Sequence, residues 1–345
     1  MPNITSIKHP IISSYVQNFV EKNEISDTDA KDEHLVFEQY INDLILNIYT
    51  NDSGASFYDM ETSNAIGLDG VAIFIADKIV TSLEDVDLIV DDIKKFDVSF
   101  YFTQVKTTNS FERNKVGDFL RAIFKMFDPL TNHIVELKEQ WEIIKYIYSK
   151  SSKFKKLSTL NAFYVALAAN KEDLSHQHMV SEIELGLRSI RDLSILDENI
   201  PLESFGIKEV MKLNEKITSQ REIVISMPKT PASYPKDPSN KIKNAYFGLI
   251  KIDQLLKILT DMVGNKRVLR KGIFDDNIRD YLGASEKIEV NVNIKNQLLG
   301  EDCNLFGILN NGITIIGDEV VLNSEELTLV NYKIVNGCQT SNVIY

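Results

Sequence analysis

Residues 97–106, DVSFYFTQVK, constrain this chain more than any other stretch. β-Branched and aromatic side chains dominate it, which predicts a strand. The strand ends polar. Alternation puts Gln104 and Lys106 on one face and Val105 on the other. Two polar side chains leaving an apolar strand in the same direction need a polar place to go. The flanking sequence extends the pattern. Residues 33–49, EHLVFEQYINDLILNIY, read as an amphipathic helix, with Phe37, Ile41, Leu44, Ile45 and Ile48 at helical spacing. Asn51, Asp52, Ser53 and Gly54 then mark a loop. Residues 68–75, LDGVAIFI, and 78–81, KIVT, predict a tight strand pair turning at Ala76 and Asp77. Residues 84–95 predict an acidic helical crossover. Segments 112–127, 134–149 and 175–197 predict helices, and 159–169 a buried strand. Helix, strands, helix and strand in that order form an α/β arrangement.

A chain of 345 residues is long for one core, and two or three domains are expected. Residues 227–240, MPKTPASYPKDPSN, hold four of the eight prolines and predict a linker or long loop. The rest of about 200–245 reads as short strands. Further on, 252–262 predicts a helix, and 286–295 and 312–323 predict strands. The expected division is 1–175, 176–245 and 246–345. Hydrophobic residues at 43% and charged residues at 26% exclude wholesale disorder. A net charge of −12 excludes a general polycation, so a nucleic-acid contact must be a local basic surface. Residues 1–100 contain 6 Lys+Arg and 19 Asp+Glu, a net of 6 − 19 = −13, which is the whole imbalance. That acidity suits either a solvated face or the surroundings of a cation. Two cysteines, Cys303 and Cys338, form neither a disulfide framework nor a zinc spacing. No apolar run is long enough to span a bilayer, and the N-terminal stretch lacks the features of a signal peptide. A cytoplasmic protein without membrane contact is expected.

Chemistry gathers in the first 110 positions. Asp69 opens the apolar strand at Leu68. Glu38 lies at the margin of the helix's apolar stripe, three residues before Ile41 and seven before Ile45. Each residue has an ordinary reading: a turn aspartate, a boundary glutamate, a lysine reaching solvent. Their order is more specific. A helix with FEQYI around Glu38, then LDGVAIFI, then FTQVKTTNSF, then a helix resembles the PD-(D/E)XK nuclease superfamily. The resemblance is to the branch in which Gln replaces the second acidic residue of the strand motif, and it covers roughly residues 30–170. It implies a restriction-endonuclease-like fold and a site that hydrolyses phosphodiesters with Mg²⁺, or with Mn²⁺ in its place. Asp69 is then the central metal ligand. Glu38, Gln104 and the carbonyl of Val105 complete the shell, and Lys106 orients or deprotonates the attacking water. Replacing an acidic ligand by Gln104 removes one negative charge from the shell.

Thr107, Thr108, Asn109 and Ser110 follow directly. They suit either contacts to a phosphate backbone or a polar turn, with Asn109 or Ser110 capping the next helix. Arg113, Lys115, Arg121 and Lys125 on that helix, with Lys150, Lys153, Lys155 and Lys156, are candidates for a DNA-facing surface. RNA is the alternative substrate, and a homodimer suits cleavage of two strands.

The last third carries GIFDDNIRDYLG at 272–283, LNNGITII at 309–316 and YKIVNGCQTSNVI at 332–344. The Asn-Gly pairs read as hairpin turns. Polar groups near strand ends also suit a base, nucleotide or phosphate. The segment with Asn277, Arg279, Leu282 and Gly283, the N-N-G-I-T segment and the I-V-N-G-x-Q-T segment, in this order, resemble the abortive-infection phage-resistance (AIPR) family. This resemblance spans nearly the whole chain. It implies a nuclease-like N-terminal domain, a mixed α+β C-terminal region and a role in bacterial anti-phage defence. Family chains continue past the last motif, so 246–345 is expected to be the N-terminal part of the AIPR domain. Arg279, Asn311, Asn336 and Gln339 are candidates for a second ligand site. Two alternatives to the nuclease remain: an inactive nucleic-acid-binding or sensing module, and a protein-interaction component of a defence system.

Overall fold

The computed structural model describes residues 7–26, 31–50, 52, 54–62, 65–130, 134–218, 222–235, 242–263, 266–270, 273–274, 289–300 and 305–345. They form a mixed α/β protein that divides into two compact units, Met1–Thr218 and Ser219–Tyr345.

The first unit begins with α1 (Pro10–Lys22) and α2 (Glu33–Tyr49). His9 and Pro10 start α1, the imidazole accepting from the Ile12 N–H. Asp32 caps α2 by accepting from the Leu35 N–H at 3.2 Å. Strands β1 (Gly70–Ile75) and β2 (Lys78–Ile79) follow, turning at Ala76 and Asp77, both with positive φ. A Ser82–Asp85 capping box opens α3 (Leu83–Asp92). Next come β3 (Val98–Lys106), α4 (Arg113–Phe127), α5 (Lys138–Ser149), β4 (Thr159–Ala166), the short α6 (Glu172–Ser175) and α7 (Gln177–Asp192). Strand β5 (Leu202–Phe205) and α8 (Ile207–Thr218) complete the unit.

One sheet runs through this unit in the order β2-β1-β3-β4-β5. β1 is antiparallel to β2 and β3, whereas β3, β4 and β5 are parallel. Side-chain alternation feeds two cores. Phe100, Phe102, Leu160 and Tyr164 pack toward α4, α5 and α7. Val105, Phe163 and Val165 pack toward α1, α2 and α8. Burial on both faces explains why β3 and β4 read as nearly continuous apolar runs. Phe100 and Phe102 are fully buried, and each such ring stabilises the fold by roughly 2–3 kcal/mol.

The second unit holds β6 (Glu222–Ser226), β7 (Ala232–Ser233), β8 (Tyr246–Phe247), α9 (Ile252–Leu259), β9 (Thr260–Val263) and β10 (Lys266–Leu269). It continues with α10 (Glu289–Leu299), α11 (Phe306–Leu309), β11 (Thr314–Ile316), β12 (Glu319–Asn323), β13 (Glu326–Val330), β14 (Lys333–Asn336) and α12 (Cys338–Ile344). β12, β13 and β6 form an antiparallel sheet, and β11 pairs with β14. Ile225, Leu255, Ile258, Leu329, Tyr332 and Ile334 centre its core.

Several expectations change. Residues 289–299 form a helix, not the expected strand. Ile288, Val290, Val292 and Ile294 alternate strictly, yet Ile294, Gln297 and Leu298 turn inward on one helical face. Residues 207–218 are also helical, because Val210 and Leu213 pack against α2 at helical spacing. The segment 312–323 breaks in two at Gly317, where a Cβ would lie 2.9 Å from the Val330 carbonyl. The helix expected over 252–262 ends at Leu259, and Thr260 begins a strand pair. The expected boundary at 175 lies inside the first unit, since β5 extends the sheet. That at 245 lies inside the second, since β6 pairs with β13.

Candidate active site

The site forms where β1 begins and β3 ends. Gly70 pairs with Thr103, and the Asp69 N–H donates to the Thr103 carbonyl at 2.9 Å. Beyond that point β1 offers β3 no further backbone partner, and the Asp69 carboxylate takes over. Its Oδ2 accepts the Val105 N–H at 2.7 Å and lies 3.2 Å from Lys106 Nζ. Gln104 Nε2 donates to the same oxygen. Gln104 and Lys106 thus leave one face of β3 together, and Val105 turns its side chain into the opposite core.

Helix α2 lies alongside. Glu38 is half-buried there. Burial, and then the negative charge of Asp69, push its carboxyl up to about 8, with Lys106 pulling the other way. Neither Asn42 nor His34 stands out in the sequence, yet both belong to this face. Buried Asn42 donates to the Asp69 carbonyl at 3.2 Å and accepts from the Thr103 hydroxyl at 2.7 Å. The His34 Nδ1 lies 3.2 Å from Thr107 Oγ1. Positions 34, 38 and 42 stand four apart, one turn each, and that spacing is the signal that could have found them. Gly70 has a steric reason to follow Asp69. A Cβ there would lie 2.3 Å from Thr103 Oγ1 and 2.6 Å from Asn42 Oδ1.

The candidate DNA-facing residues separate. Thr108 Oγ1 donates to the Ser110 carbonyl at 3.1 Å, which makes 107–110 a polar turn beside the site. The cap of α4 is Glu112, not Asn109 or Ser110, and its side chain makes no capping bond. Arg113 and Lys115 are exposed on the first turn of α4. Arg121 lies two turns further on, paired with Asp118 at 2.9 Å and Glu182 at 3.0 Å. Lys153, Lys155 and Lys156 sit at the other end of the sheet. Phe154 bridges to Phe96, just ahead of β3, and the nine residues of β3 put about 26 Å between that end and Lys106. There Lys153 Nζ donates to the Val90 carbonyl at 2.9 Å, and Lys155 pairs with Asp97 at 3.2 Å.

In the second unit, Thr314 pairs with Asn336, so the N-N-G-I-T and V-N-G-C-Q-T segments run side by side. Gly337, at φ +97°, presses on Ile313, 2.8 Å from where a Cβ would sit. Asn311 and Asn336 are exposed. Gln339 Oε1 and Nε2 are buried without a hydrogen-bond partner among the described residues. Arg279 lies outside the described residues.

Fold and site define a mixed α/β protein with an aspartate–lysine pair at the end of adjacent strands and a second carboxylate on the neighbouring helix. The family model described as AIPR protein matches residues 274–345, the span of the three C-terminal motifs. No curated protein and no solved structure matches the chain. Among the described residues no cluster of three or more His, Cys, Asp or Glu could hold a metal ion, and no helix is long and apolar enough to cross a membrane. The residues gathered here bring two carboxylates, those of Asp69 and Glu38, together with the Gln104 side-chain amide and the Val105 main chain.

Proposed function

We propose that this chain is a Mg²⁺-dependent endonuclease acting on DNA in bacterial anti-phage defence. The observation that carries the reading is the meeting of Asp69, Gln104 and Lys106 with Glu38 beside them, on elements far apart in sequence. The AIPR match supports the defence role. The donor set fits a divalent cation: all four groups offer oxygens, and a cation would favour the ionised form of Glu38, whose carboxyl is pushed up by burial and then by the Asp69 charge. Asp69, Glu38, Gln104 and the Val105 carbonyl would hold Mg²⁺ or Mn²⁺, which would supply Lewis acidity toward the phosphate and the water. Asp69, fixed by the Val105 N–H, anchors the site. Lys106, fixed by Asp69, presents its ammonium to the phosphate and to the attacking water. Asn42 holds the backbone of Asp69 and the side chain of Thr103 in place.

The test is cleavage of plasmid and single-stranded DNA with Mg²⁺, with Mn²⁺ and with EDTA. Metal-dependent cutting should fall at least 100-fold, about 3 kcal/mol, in Asp69→Ala and Lys106→Ala, with folding retained. Cutting that survives both substitutions sinks the proposal. A second reading has its own observation. Asp69 Oδ2 already receives three donors, and Gln104 stands where a third carboxylate would raise cation affinity. On that reading the site is an inactive nucleic-acid-binding module, and wild type binds DNA or RNA in a salt-dependent way without cutting it.

A further inference from the structure

We propose that His34 binds a phosphate oxygen of the nucleic-acid strand entering the Asp69 site, with Thr107 holding its ring. The inference rests on the phosphodiesterase reading above and adds a strand-positioning residue to it. His34 lies one turn, about 6 Å along α2, before Glu38. Thr107 directly follows Lys106. The 3.2 Å contact between His34 Nδ1 and Thr107 Oγ1 therefore joins the two elements that carry the site, at its outer edge. His34 is exposed and Thr107 half-buried. A hydrogen bond between groups that water also reaches adds little to stability, so stability alone gives no reason for it.

The contact accommodates either tautomer of the ring. In the proposed tautomer the Thr107 hydroxyl donates to Nδ1, which leaves the N–H on Nε2 as the donor for the strand. The electrostatics call for one. Glu38, Asp69 and Asp32 lie close enough for Glu38 to feel both aspartates. A phosphodiester offers only acceptor oxygens and a negative charge, so the carboxylates would receive it only through a cation, and a hydrogen-bond donor beside them adds a direct contact. His34 and Lys106 are donors flanking those carboxylates, one on each element. Lys106 is held by Asp69 at the centre, and His34, exposed one turn before Glu38, offers a donor from the helix side of the same junction.

Two substitutions separate this role from a merely structural tie. In His34→Asn the amide can replace Nδ1 and keep the bond to Thr107, but nothing reaches the position of Nε2. In His34→Gln the amide reaches the position of Nε2 and gives up the bond to Thr107. The experiment measures KM and kcat for Mg²⁺-dependent cleavage of a labelled DNA duplex by the full chain and both variants, alongside their melting temperatures. The expected result is a KM raised roughly tenfold in His34→Asn, with kcat within about twofold of wild type. His34→Gln should recover most of the loss, and all three proteins should melt alike. A His34→Asn variant that matches wild type, or that is no worse than His34→Gln, overturns the proposal and leaves the nuclease reading standing. Wild type that cuts no nucleic acid removes the nuclease reading, and this inference with it.

Discussion

Glu38 shows how the neighbourhood of one carboxyl becomes a property of the whole fold. Its folded value of about 8 stands above the ordinary 4.5. Between those values the folded protein keeps a proton that the unfolded chain has lost. Glu38 therefore makes stability fall as pH rises through that window, when no cation is bound. A neutral amide of the same shape removes the penalty. Glu38→Gln should match wild type at pH 4 and exceed it by about 2 kcal/mol at pH 9 in EDTA, a figure discounted for partial exposure. Urea unfolding at the two pH values measures this. Mg²⁺ should narrow the gap at pH 9, because a cation favours the ionised pair in wild type. A variant less stable than wild type at pH 9 in EDTA would mean that burial and the Asp69 charge do not disfavour the ionised Glu38. Gln104 and Lys106 are legible in the sequence because period-2 alternation fixes which side chains share a face, and Asp69 because it opens an apolar strand. His34 and Asn42 are not. A polar residue on an amphipathic helix gains meaning only once a strand end is placed against it.

Elements were legible where one period dominates. Helix α2 runs over 33–49 as its apolar spacing requires, and the turn at Ala76 and Asp77 sits where two short apolar runs meet. The alternation around Ile294 points to a strand, and packing on one helical face overrides it. Residues 207–218 lose their helical reading among the breakers that follow them. The junction of β1, β3 and α2 is the point where elements decide the site. Gly70 lets the Thr103–Asn42 hydrogen bond pass directly over the start of β1. Gly70→Ala would drive a methyl group into both side chains and pull α2 away from β3. The expected cost is about 1–3 kcal/mol, the range of overpacked cores, and cleavage should fall with it because Asn42 also holds Asp69. Denaturant midpoints and the cleavage assay read the two effects separately. Unchanged stability in Gly70→Ala would mean that α2 is not seated on this junction.

The first unit contains everything the proposed chemistry needs. Its hydrophobic cores are all built from residues before Thr218, and its sheet takes its last strand from Leu202–Phe205. Strand β6, the next along the chain, pairs with β13 and belongs to the other sheet. A chain of 218 residues has ample length to bury a core of its own. The three-part division read from the sequence misses this because Pro228, Pro231, Pro235 and Pro238 look like a boundary, whereas β6 already pairs across them with β13. The marker of the real division is the end of helix α8, which carries no breaker before Thr218. A fragment of residues 1–218 should therefore unfold in urea in a single cooperative step. It should also bind Mn²⁺ at a site lost in Asp69→Ala, since every donor of that site lies within it. Titration calorimetry on the fragment and its variant measures the second claim, with cleavage as a separate readout. A fragment that stays soluble but unfolds without cooperativity would mean that the first unit depends on residues 219–345 for its core. Cooperative unfolding without cutting, in a fragment that still binds Mn²⁺, would assign the AIPR-matched segment a part in substrate capture or activation.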